Sequence, residues 1–383
     1  MSRGLNRRQF MAALGATAAL AGCGTRSSSS SSPSGMPSQD PNDTSVVWAN
    51  WTLYLDYDRK THSYPTLEAF EEQTGFSVEY REDIDDNVSF NGKVAPQLAR
   101  GLDIGYDLVT PSDSLIAPWI KKGWAAPLDK ANIPNAANLL PELENVPFDP
   151  GRVYSMTYQS GFGGLAWNKE RVPNGLHTMA DLWDPALKGK VVVLSEVQDT
   201  VGLVMLDQGV DINGDFTADQ FMNALRVIEE QVESGQIKQV KGNSYKEDLI
   251  NEQAWAAIAW SGDIFQINAE EGNKWDFALP ESGGTLWSDN FLIPYTATNR
   301  AGAEAIINYY YDPVVAAEVA AWVNYVCPVD GAREAMEKID PKLAKSKWIF
   351  PTPELLAQAQ VFRDFTADEE REYTAAFGRV VQA

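Results

Sequence analysis

The chain of 383 residues is long enough for more than one domain, and it is strongly acidic, with 31 Lys and Arg against 53 Asp and Glu. A formal net charge of -22 excludes a nucleic-acid-binding role and charge-driven attachment to anionic lipid. The 2 histidines and 2 cysteines argue against a histidine-rich metal site, most histidine-dependent hydrolases and a disulfide framework.

The N-terminus has the pattern of an export signal. Arg7-Arg8-Gln9-Phe10 resembles the twin-arginine signal, and the apolar run from Ala12 to Ala21 is too short to cross a bilayer. Leu20-Ala21-Gly22-Cys23 resembles the bacterial lipobox, in which cleavage leaves a diacylated N-terminal cysteine. A core helix is the weaker interpretation, because the run leads straight into Ser27–Ser32. Residues 1–22 are therefore predicted to be a signal, and Cys23 a lipidated residue.

Residues 23–44 are rich in Ser, Pro, Gly and Asp, a composition that predicts a flexible tether on the lipid anchor. Removal of the signal also removes Arg3, Arg7 and Arg8, which changes the formal charge from -22 to -25. With Cys23 lipidated, Cys327 has no partner and is expected to be a free, buried thiol. We expect the protein at the outer face of the cell membrane or in the periplasm.

Strand and helix patterns alternate in the first part of the chain. They predict strands at Val46–Asn50, Phe76–Tyr80 and Tyr106–Thr110, and helices at Tyr64–Gln73, at Phe90–Arg100 and through Trp119. The segment Tyr154–Asn168 is long, Gly-rich and poor in helix formers, so it is a candidate to carry the chain from one lobe into the next.

The same alternation continues to the C-terminus. It predicts strands at Lys190–Glu196, Ala254–Trp260 and Leu286–Pro294, and helices at Thr200–Gln208, Ala218–Ser234, Ala301–Tyr311, Val314–Trp322 and Ala367–Val381. Alternating strands and helices indicate an α/β fold with a largely parallel sheet. About 340 residues follow the tether, which is too many for a single core and suggests two domains.

Aromatic residues lie beside acids or hydroxyls at three predicted strand ends. These clusters are Asn50–Tyr54, Trp260–Asp263 and Trp287–Asp289. Ligands of open α/β sheets bind outside the carboxyl ends of the strands. Indole and phenol rings with a few carboxylates suit an alkylammonium ligand, because ring faces attract cations and bury methylene groups.

Two other motifs are interpreted as structural. Asp211–Asp215 resembles the start of a calcium loop, but Phe216 and Met222 stand where that loop needs Gly and Glu, so a surface turn is predicted. Ser160 lacks the glycine two places before it that a nucleophile elbow requires. No metal, cofactor or catalytic residue is expected.

Several motifs together resemble the bacterial spermidine/putrescine-binding periplasmic proteins of ABC importers, from about Val46 to Tyr325. The motifs are Asn50–Tyr54, Tyr106–Ser112, Pro147–Pro150, Ala180–Trp183, Trp260–Asp263 and Trp287–Asp289. The resemblance implies a two-lobed periplasmic-binding-protein fold (type II-like), with hinged lobes and a ligand cleft between them. The lobes would comprise residues 45–158 plus 288–324, and residues 159–287 plus 325–383.

The resemblance also implies which residues line the cleft. They are Trp51, Thr52, Tyr54, Ser112, Trp260, Asp263, Trp287, Asp289 and Tyr325. Asp263 and Asp289 would be the ammonium partners. An ungapped match puts Val197 and Thr200 where spermidine-type members have a second pair of acids, although Glu196 and Asp199 each lie one place away. Ser114 also replaces a family aromatic residue.

The favoured function is capture of polyamines such as putrescine or spermidine for an ABC importer. The partners would be the permease subunits in the membrane, the cytosolic ATPase indirectly, and the membrane itself through the lipid anchor. The protein would be a monomer that performs no chemistry. Two alternatives stay open: the same scaffold binding another small cation or amino compound, and a secreted carboxylate-dependent hydrolase.

Overall fold

The structure is a computed structural model and describes residues 37–381. The predicted signal, Cys23 and most of the predicted tether lie outside the described residues. Near the end of the tether, Gln39 donates to Ala297 O at 3.0 Å and accepts from Arg300 N at 2.7 Å. Within residues 37–381, every helix is too short or too polar to cross a bilayer.

Residues 37–381 form twelve strands and thirteen α-helices, with short 3-10 turns between them. The strands are β1 (Ser45–Trp51), β2 (Ser77–Ile84), β3 (Leu108–Val109), β4 (Asn145–Val146), β5 (Asp149–Pro150), β6 (Ser155–Asn168), β7 (Val191–Leu194), β8 (Ile237–Lys241), β9 (Ala256–Trp260), β10 (Trp275–Ala278), β11 (Gly284–Leu292) and β12 (Ala359–Val361). The helices are α1 (Pro65–Thr74), α2 (Asn87–Leu98), α3 (Asp113–Lys121), α4 (Met179–Leu182), α5 (Val197–Asp207), α6 (Ala218–Glu233), α7 (Tyr245–Ile250), α8 (Ser261–Glu271), α9 (Arg300–Tyr310), α10 (Pro313–Val323), α11 (Ala332–Ile339), α12 (Pro353–Leu356) and α13 (Ala367–Val381).

Ten of these strands form one sheet in the order β2-β1-β3-β11-β6-β9-β7-β8, with β10 paired to β6 and β12 to β11. The outer pairs β1–β2 and β7–β8 are parallel. At the centre, β6 pairs antiparallel with β11 and β9. The predicted largely parallel sheet is therefore correct towards both edges and wrong in the middle, where β6 runs opposite to its neighbours.

The two long central strands contain both of the predicted lobe boundaries. The boundary between residues 158 and 159 falls inside β6, and the boundary between residues 287 and 288 falls inside β11. All residues of β6 are buried, because strands pair with both of its edges and further layers cover its faces. The division into lobes at these positions stays a prediction.

The helix termini follow from local sequence. In α6, Thr217 and Gln220 form a capping box, in which each side chain accepts a hydrogen bond from the other's backbone N–H. In α10, Asp312 caps the helix by accepting from Val314 N at 2.8 Å, and Pro313 occupies the first turn, where its missing N–H costs nothing. Both helices end within one residue of the predicted positions.

The hydrophobic core follows the sheet. Val191–Leu194 and Trp48 have no solvent exposure, as expected for strands covered on both faces. The indole N–H of Trp48 donates to Thr110 Oγ1 at 2.7 Å, so this fully buried side chain keeps its polar atom paired. This hydrogen bond joins β1 to the residue just after β3. The predicted site residues Trp51 and Ser112 lie close to these two strand ends.

Candidate ligand-binding cleft

A cleft of about 690 Å³, counting its open mouth, lies where the predicted site residues meet. β1 and β9 end at it with Trp51 and Trp260, and β11 passes through it with Trp287 and Asp289. Because Trp287 and Asp289 are two residues apart on one strand, their side chains leave the same face of the sheet. Tyr325, just beyond α10, completes this part of the lining.

Five aromatic rings line the cleft as a continuous series. Trp260 contacts Trp51 and Trp287 with ring centroids 6.2 Å apart in both pairs. Tyr325 contacts Trp287 at 5.3 Å and Tyr54 at 5.4 Å. All four contacts are edge-to-face, the arrangement that aromatic quadrupoles favour. Each ring is therefore held in position by its contacts with the neighbouring rings.

Two glycines allow these rings to lie directly against the backbone. A Cβ at Gly161, on β6, would lie 2.8 Å from Tyr325 Cδ1 and 2.9 Å from Trp287 Cη2. A Cβ at Gly262, in the first turn of α8, would lie 2.6 Å from Tyr325 Cδ2. Such distances are too short for any side chain, so the position of Tyr325 depends on both glycines and that of Trp287 on Gly161.

A hydrogen-bond network joins Asp289 to Glu196. Ser112 Oγ donates to Asp289 Oδ1 at 2.6 Å and accepts from Asn87 Nδ2 at 2.9 Å. The backbone N–H and side-chain amide of Asn87 both donate to Glu196 Oε1, at 2.8 and 3.0 Å. Both carboxyl groups thus accept hydrogen bonds from neutral donors. Within residues 37–381, neither carboxyl group forms an ion pair with Lys, Arg or His.

Burial raises the pKa of the carboxyl groups around this network. Desolvation holds the pKa of Asp289 well above its usual range, against the hydrogen bond from Ser112. It also raises the pKa of Glu196 to about 8, and that of the neighbouring Asp113 to about 7 despite the charge of Arg152. A cation placed here would favour the ionised carboxylates.

Asp199 lies in the same cleft and is held by two neutral donors. Trp260 Nε1 donates to Asp199 Oδ2 at 2.8 Å, and the Thr285 hydroxyl donates to the other carboxylate oxygen. Burial raises the pKa of Asp199, and these two hydrogen bonds oppose the increase. Asp199 therefore fixes the indole of Trp260 while adding a further acid to the cleft.

Asp263 differs from the other acids because the protein itself supplies its counter-ion. Lys246 Nζ lies 3.3 Å from Asp263 Oδ1, and both side chains are buried. The hydroxyls of Tyr325 and Tyr245 donate to the same carboxylate at 2.8 and 3.0 Å. Lys246 Nζ also donates to Thr52 O at 3.2 Å, which ties α7 to the end of β1.

The structure brings all the predicted ligand-binding residues together at one cleft. They are Trp51, Thr52, Tyr54, Ser112, Glu196, Asp199, Trp260, Asp263, Trp287, Asp289 and Tyr325. Ser114 also lines it, whereas Val197 does not, and Thr200 is buried behind it with its hydroxyl donating to Leu194 O. The acids one place away from the ungapped match are thus the ones that reach the cleft. Ligand binding by these residues stays a prediction.

Sequence reasoning missed several lining residues. They include Asp113, Gln198, Asn243, Lys246, Thr285 and Phe362. Lys246 matters most, because it places a buried positive charge in the cleft. It lies in a polar stretch, Lys241–Asp248, whose pattern does not differ from that of a solvated loop or helix. Only its contact with Asp263 reveals its position.

The two motifs interpreted as structural have ordinary surroundings. Asp211 Oδ1 accepts from Asn213 N at 3.1 Å and Gly214 N at 3.2 Å, which closes an exposed turn. Ser160 Oγ lies 2.7 Å from Ser288 Oγ, in the pairing of β6 with β11. Over residues 37–381, no group of three or more His, Cys, Asp or Glu side chains is placed to hold a metal ion.

An α/β fold with an aromatic and acidic cleft is typical of a solute-binding protein, and sequence comparison agrees. Residues 66–352 match the sequence model of the bacterial extracellular solute-binding proteins, and the chain belongs to that family. The resemblance inferred from the sequence motifs is therefore confirmed.

Relatives of the chain are named as spermidine/putrescine-binding or putrescine-binding periplasmic proteins. The chain is 28% identical over 334 residues to the spermidine/putrescine-binding periplasmic protein of Escherichia coli K12, covering 86% of this chain and 89% of that protein. It is 28% identical over 357 residues to the putrescine-binding periplasmic protein SpuD of Pseudomonas aeruginosa UCBPP-PA14, covering 86% and 90%. These relatives are binding proteins by name, not enzymes.

Solved structures share the fold over almost their whole length. A putative spermidine/putrescine ABC transporter protein from Listeria monocytogenes superposes with a TM-score of 0.77 at 25% identity, covering 88% of this chain and 98% of that one. The Tp0655 lipoprotein of Treponema pallidum superposes with a TM-score of 0.73 at 21% identity, covering 88% and 100%. The predicted α/β class and two-lobed binding-protein fold are thus confirmed.

Proposed function

We propose that this chain is an exported, lipid-anchored solute-binding protein that captures an amine of the polyamine class for an ABC importer. The observation that carries the proposal is the pair Asp289 and Glu196. These buried carboxyl groups lie beside aromatic rings, and within residues 37–381 they have no basic partner. A carboxyl group in such a place is stabilised in its charged form only when a cation arrives.

The aromatic rings supply the rest of the recognition. Faces of Trp and Tyr attract ammonium groups, and methylene groups gain about 0.8 kcal/mol each when they leave water. A charge-assisted hydrogen bond to Asp289 adds about 1.5–3 kcal/mol. A linear aliphatic amine combines these features, whereas an anion gains nothing from unpaired carboxylates.

Binding without chemistry is the simplest test of this role. We expect amines to raise the melting temperature of the purified protein, because a ligand that binds only the folded state stabilises it. The recovered amine should be chemically unchanged after prolonged incubation. Consumption of the amine would indicate an enzyme instead.

The lipid anchor leads to a prediction for Cys23. The sequence motif places acylation at Cys23, and the described thiol, Cys327, is a poor alternative because it is buried and burial raises its pKa to about 12. We expect Cys23→Ser to move the protein from the membrane fraction to the soluble fraction of fractionated cells. Cys327→Ala is the matched control and should stay with the membranes. Equal membrane association of Cys23→Ser and the parent would contradict the anchor.

The raised pKa of Glu196 leads to a prediction about pH. Its ordinary value is 4.5 and its value here about 8, so in the empty protein its contribution to stability is present below pH 4.5 and lost as pH rises through 8. Burial is the largest cause, and the charges of Asp86 and Asp199 add to it. An ammonium ligand lowers this pKa, so binding at pH 7 should release protons, about one at most from this group.

Calorimetry in two buffers with different heats of ionisation measures that release. The apparent binding enthalpy should differ between the buffers, and the difference should shrink in Glu196→Gln. Identical enthalpies in both buffers would show that the ligand does not pair with a protonated acid of this cleft.

A further inference from the structure

Lys246 already neutralises one of the two acids expected to bind ligand ammonium groups. Its side chain is 6% exposed and that of Asp263 is 4% exposed, and Lys246 Nζ lies 3.3 Å from Asp263 Oδ1. Tyr325 and Tyr245 donate to the same carboxylate. A carboxylate offers about four acceptor positions, so three are occupied, and the charge is balanced within the protein. A ligand ammonium would therefore have to share Asp263 with Lys246.

We propose that Lys246 takes the place of one ligand ammonium group, so that the cleft binds an amine with a single ammonium group and an oxygen acceptor at its other end. This inference rests on the proposed function, amine capture for an importer, and it replaces the polyamines as ligand class with amines that carry one ammonium group. The single ammonium group binds beside Asp289 and Glu196, which accept hydrogen bonds from neutral donors. The oxygen acceptor binds beside Lys246.

Unfilled donors in the cleft support an oxygen acceptor. The Lys246 ammonium has three N–H groups, and its contacts in the described part of the chain are Asp263 Oδ1 and Thr52 O. The buried indole N–H of Trp287, whose ring contacts Tyr325, has no acceptor among residues 37–381. Because a protonated diamine brings only donors, it cannot satisfy either group, whereas a carbonyl or carboxylate oxygen can.

Lys246 is held in place by two contacts, one with Asp263 on α8 and one with Thr52 just beyond β1. Thr52 O, beyond the end of β1, accepts from Lys246 Nζ at 3.2 Å and from Asn243 Nδ2 at 2.9 Å. A second ammonium group at Asp263 would either displace Lys246 from two polar contacts or place two positive charges side by side. Both outcomes disfavour a diamine relative to an amine with one charge.

Calorimetry on the purified protein tests the inference with four amines. They are putrescine, with an ammonium group at each end; N-acetylputrescine, with an amide carbonyl; 4-aminobutanoate, with a carboxylate; and pentylamine, with an apolar end. We expect N-acetylputrescine or 4-aminobutanoate to bind about tenfold or more tightly than putrescine, with pentylamine weaker than the better of the two. The comparison of amide with carboxylate identifies which acceptor is used.

Lys246→Met should reverse the order, because it frees Asp263 for a ligand ammonium group. Lys238→Met is the matched control: Lys238 lies on β8 and pairs with Asp248, outside the cleft, and the order of affinities should not change. The double variant Lys246→Met with Asp263→Asn keeps the charge balance and should gain no affinity for putrescine.

The possible outcomes separate this inference from the proposed function. Tighter binding of putrescine than of both acceptor-bearing amines by the parent protein would overturn the inference and leave the proposed function standing. The same holds if Lys246→Met, with its thermal unfolding still cooperative, keeps the parent's order. Failure of all four amines to bind would overturn the inference, and failure of spermidine and spermine as well would contradict the proposed function.

Discussion

Asp289→Asn is expected to weaken amine binding by about 2–5 kcal/mol, or roughly 30-fold to 4,000-fold, since truncating one partner of a buried charge pair leaves the other unpaired. Asparagine keeps the shape of the side chain and can still accept the hydrogen bond from Ser112. The substitution therefore tests the charge alone. The dissociation constant, measured by titration calorimetry, is the readout.

The free protein should not lose stability with this change. Burial holds the pKa of Asp289 well above its usual range, so ionising it in the empty cleft is costly, and a neutral amide avoids that cost. Asp219→Asn, in the exposed first turn of α6, removes an equal charge and serves as the control. Unchanged affinity in Asp289→Asn would mean that Asp289 is only structural.

Gly161→Ala is expected to reduce amine affinity by about tenfold or more, because its Cβ would displace the rings of Trp287 and Tyr325. Overpacking of this kind typically costs about 1–3 kcal/mol of stability. Since Tyr325 also donates to Asp263, the change should disturb both the aromatic wall, formed by the rings that line the cleft, and the contact between Asp263 and Lys246. Calorimetry measures the loss of affinity, and thermal unfolding measures the loss of stability.

Gly92→Ala is the matched control. Gly92 lies inside α2, and a Cβ added there would have no heavy atom within 4 Å, so alanine should stabilise the helix by about 0.5–1 kcal/mol and leave binding unchanged. If Gly161→Ala binds amines as tightly as the parent, the rings can move without loss, and the aromatic wall is not a recognition element.

The sequence was most informative where hydrophobic patterns and turn signals coincide. The strands that begin at Ser45 and Val191 and the helices that end at Val323 and Val381 lie close to their predicted positions. The predicted strand ends also indicated that the aromatic clusters lie in one site. A buried strand that stops at the edge of the sheet leaves its next side chains at that edge.

Helix α8 was missed for a physical reason. Most of its first two turns are buried, including Gly262, Asp263 and Gln266, so apolar and polar residues do not separate onto two faces. Its first residues follow Trp260 with no side-chain cap, so neither of the usual helix signals is present. This segment is helical because of its packing in the folded protein, which a sequence pattern cannot show.

The charges of the cleft depend on tertiary contacts in the same way. Glu196 and Asp199 reach the cleft because α5 begins at Val197, three residues earlier than the predicted helix, which turns both acids towards Asn87 and Trp260. Lys246 is adjacent to no predicted site residue in the sequence, and it meets Asp263 only because α7 packs on α8. Pairings between distant segments cannot be derived from spacing alone.

The central claim, capture of an amine without chemistry, is tested most directly by titration calorimetry of the purified protein. The panel is putrescine, cadaverine, spermidine, spermine, N-acetylputrescine and 4-aminobutanoate, with glucose and glutarate as ligands that lack an ammonium group. We predict saturable binding of one ligand per chain for at least one amine, abolished or strongly weakened by Asp289→Asn, and no binding of glucose or glutarate. Binding of glucose or glutarate with affinity equal to that of the best amine, or no binding of any amine, would contradict the account.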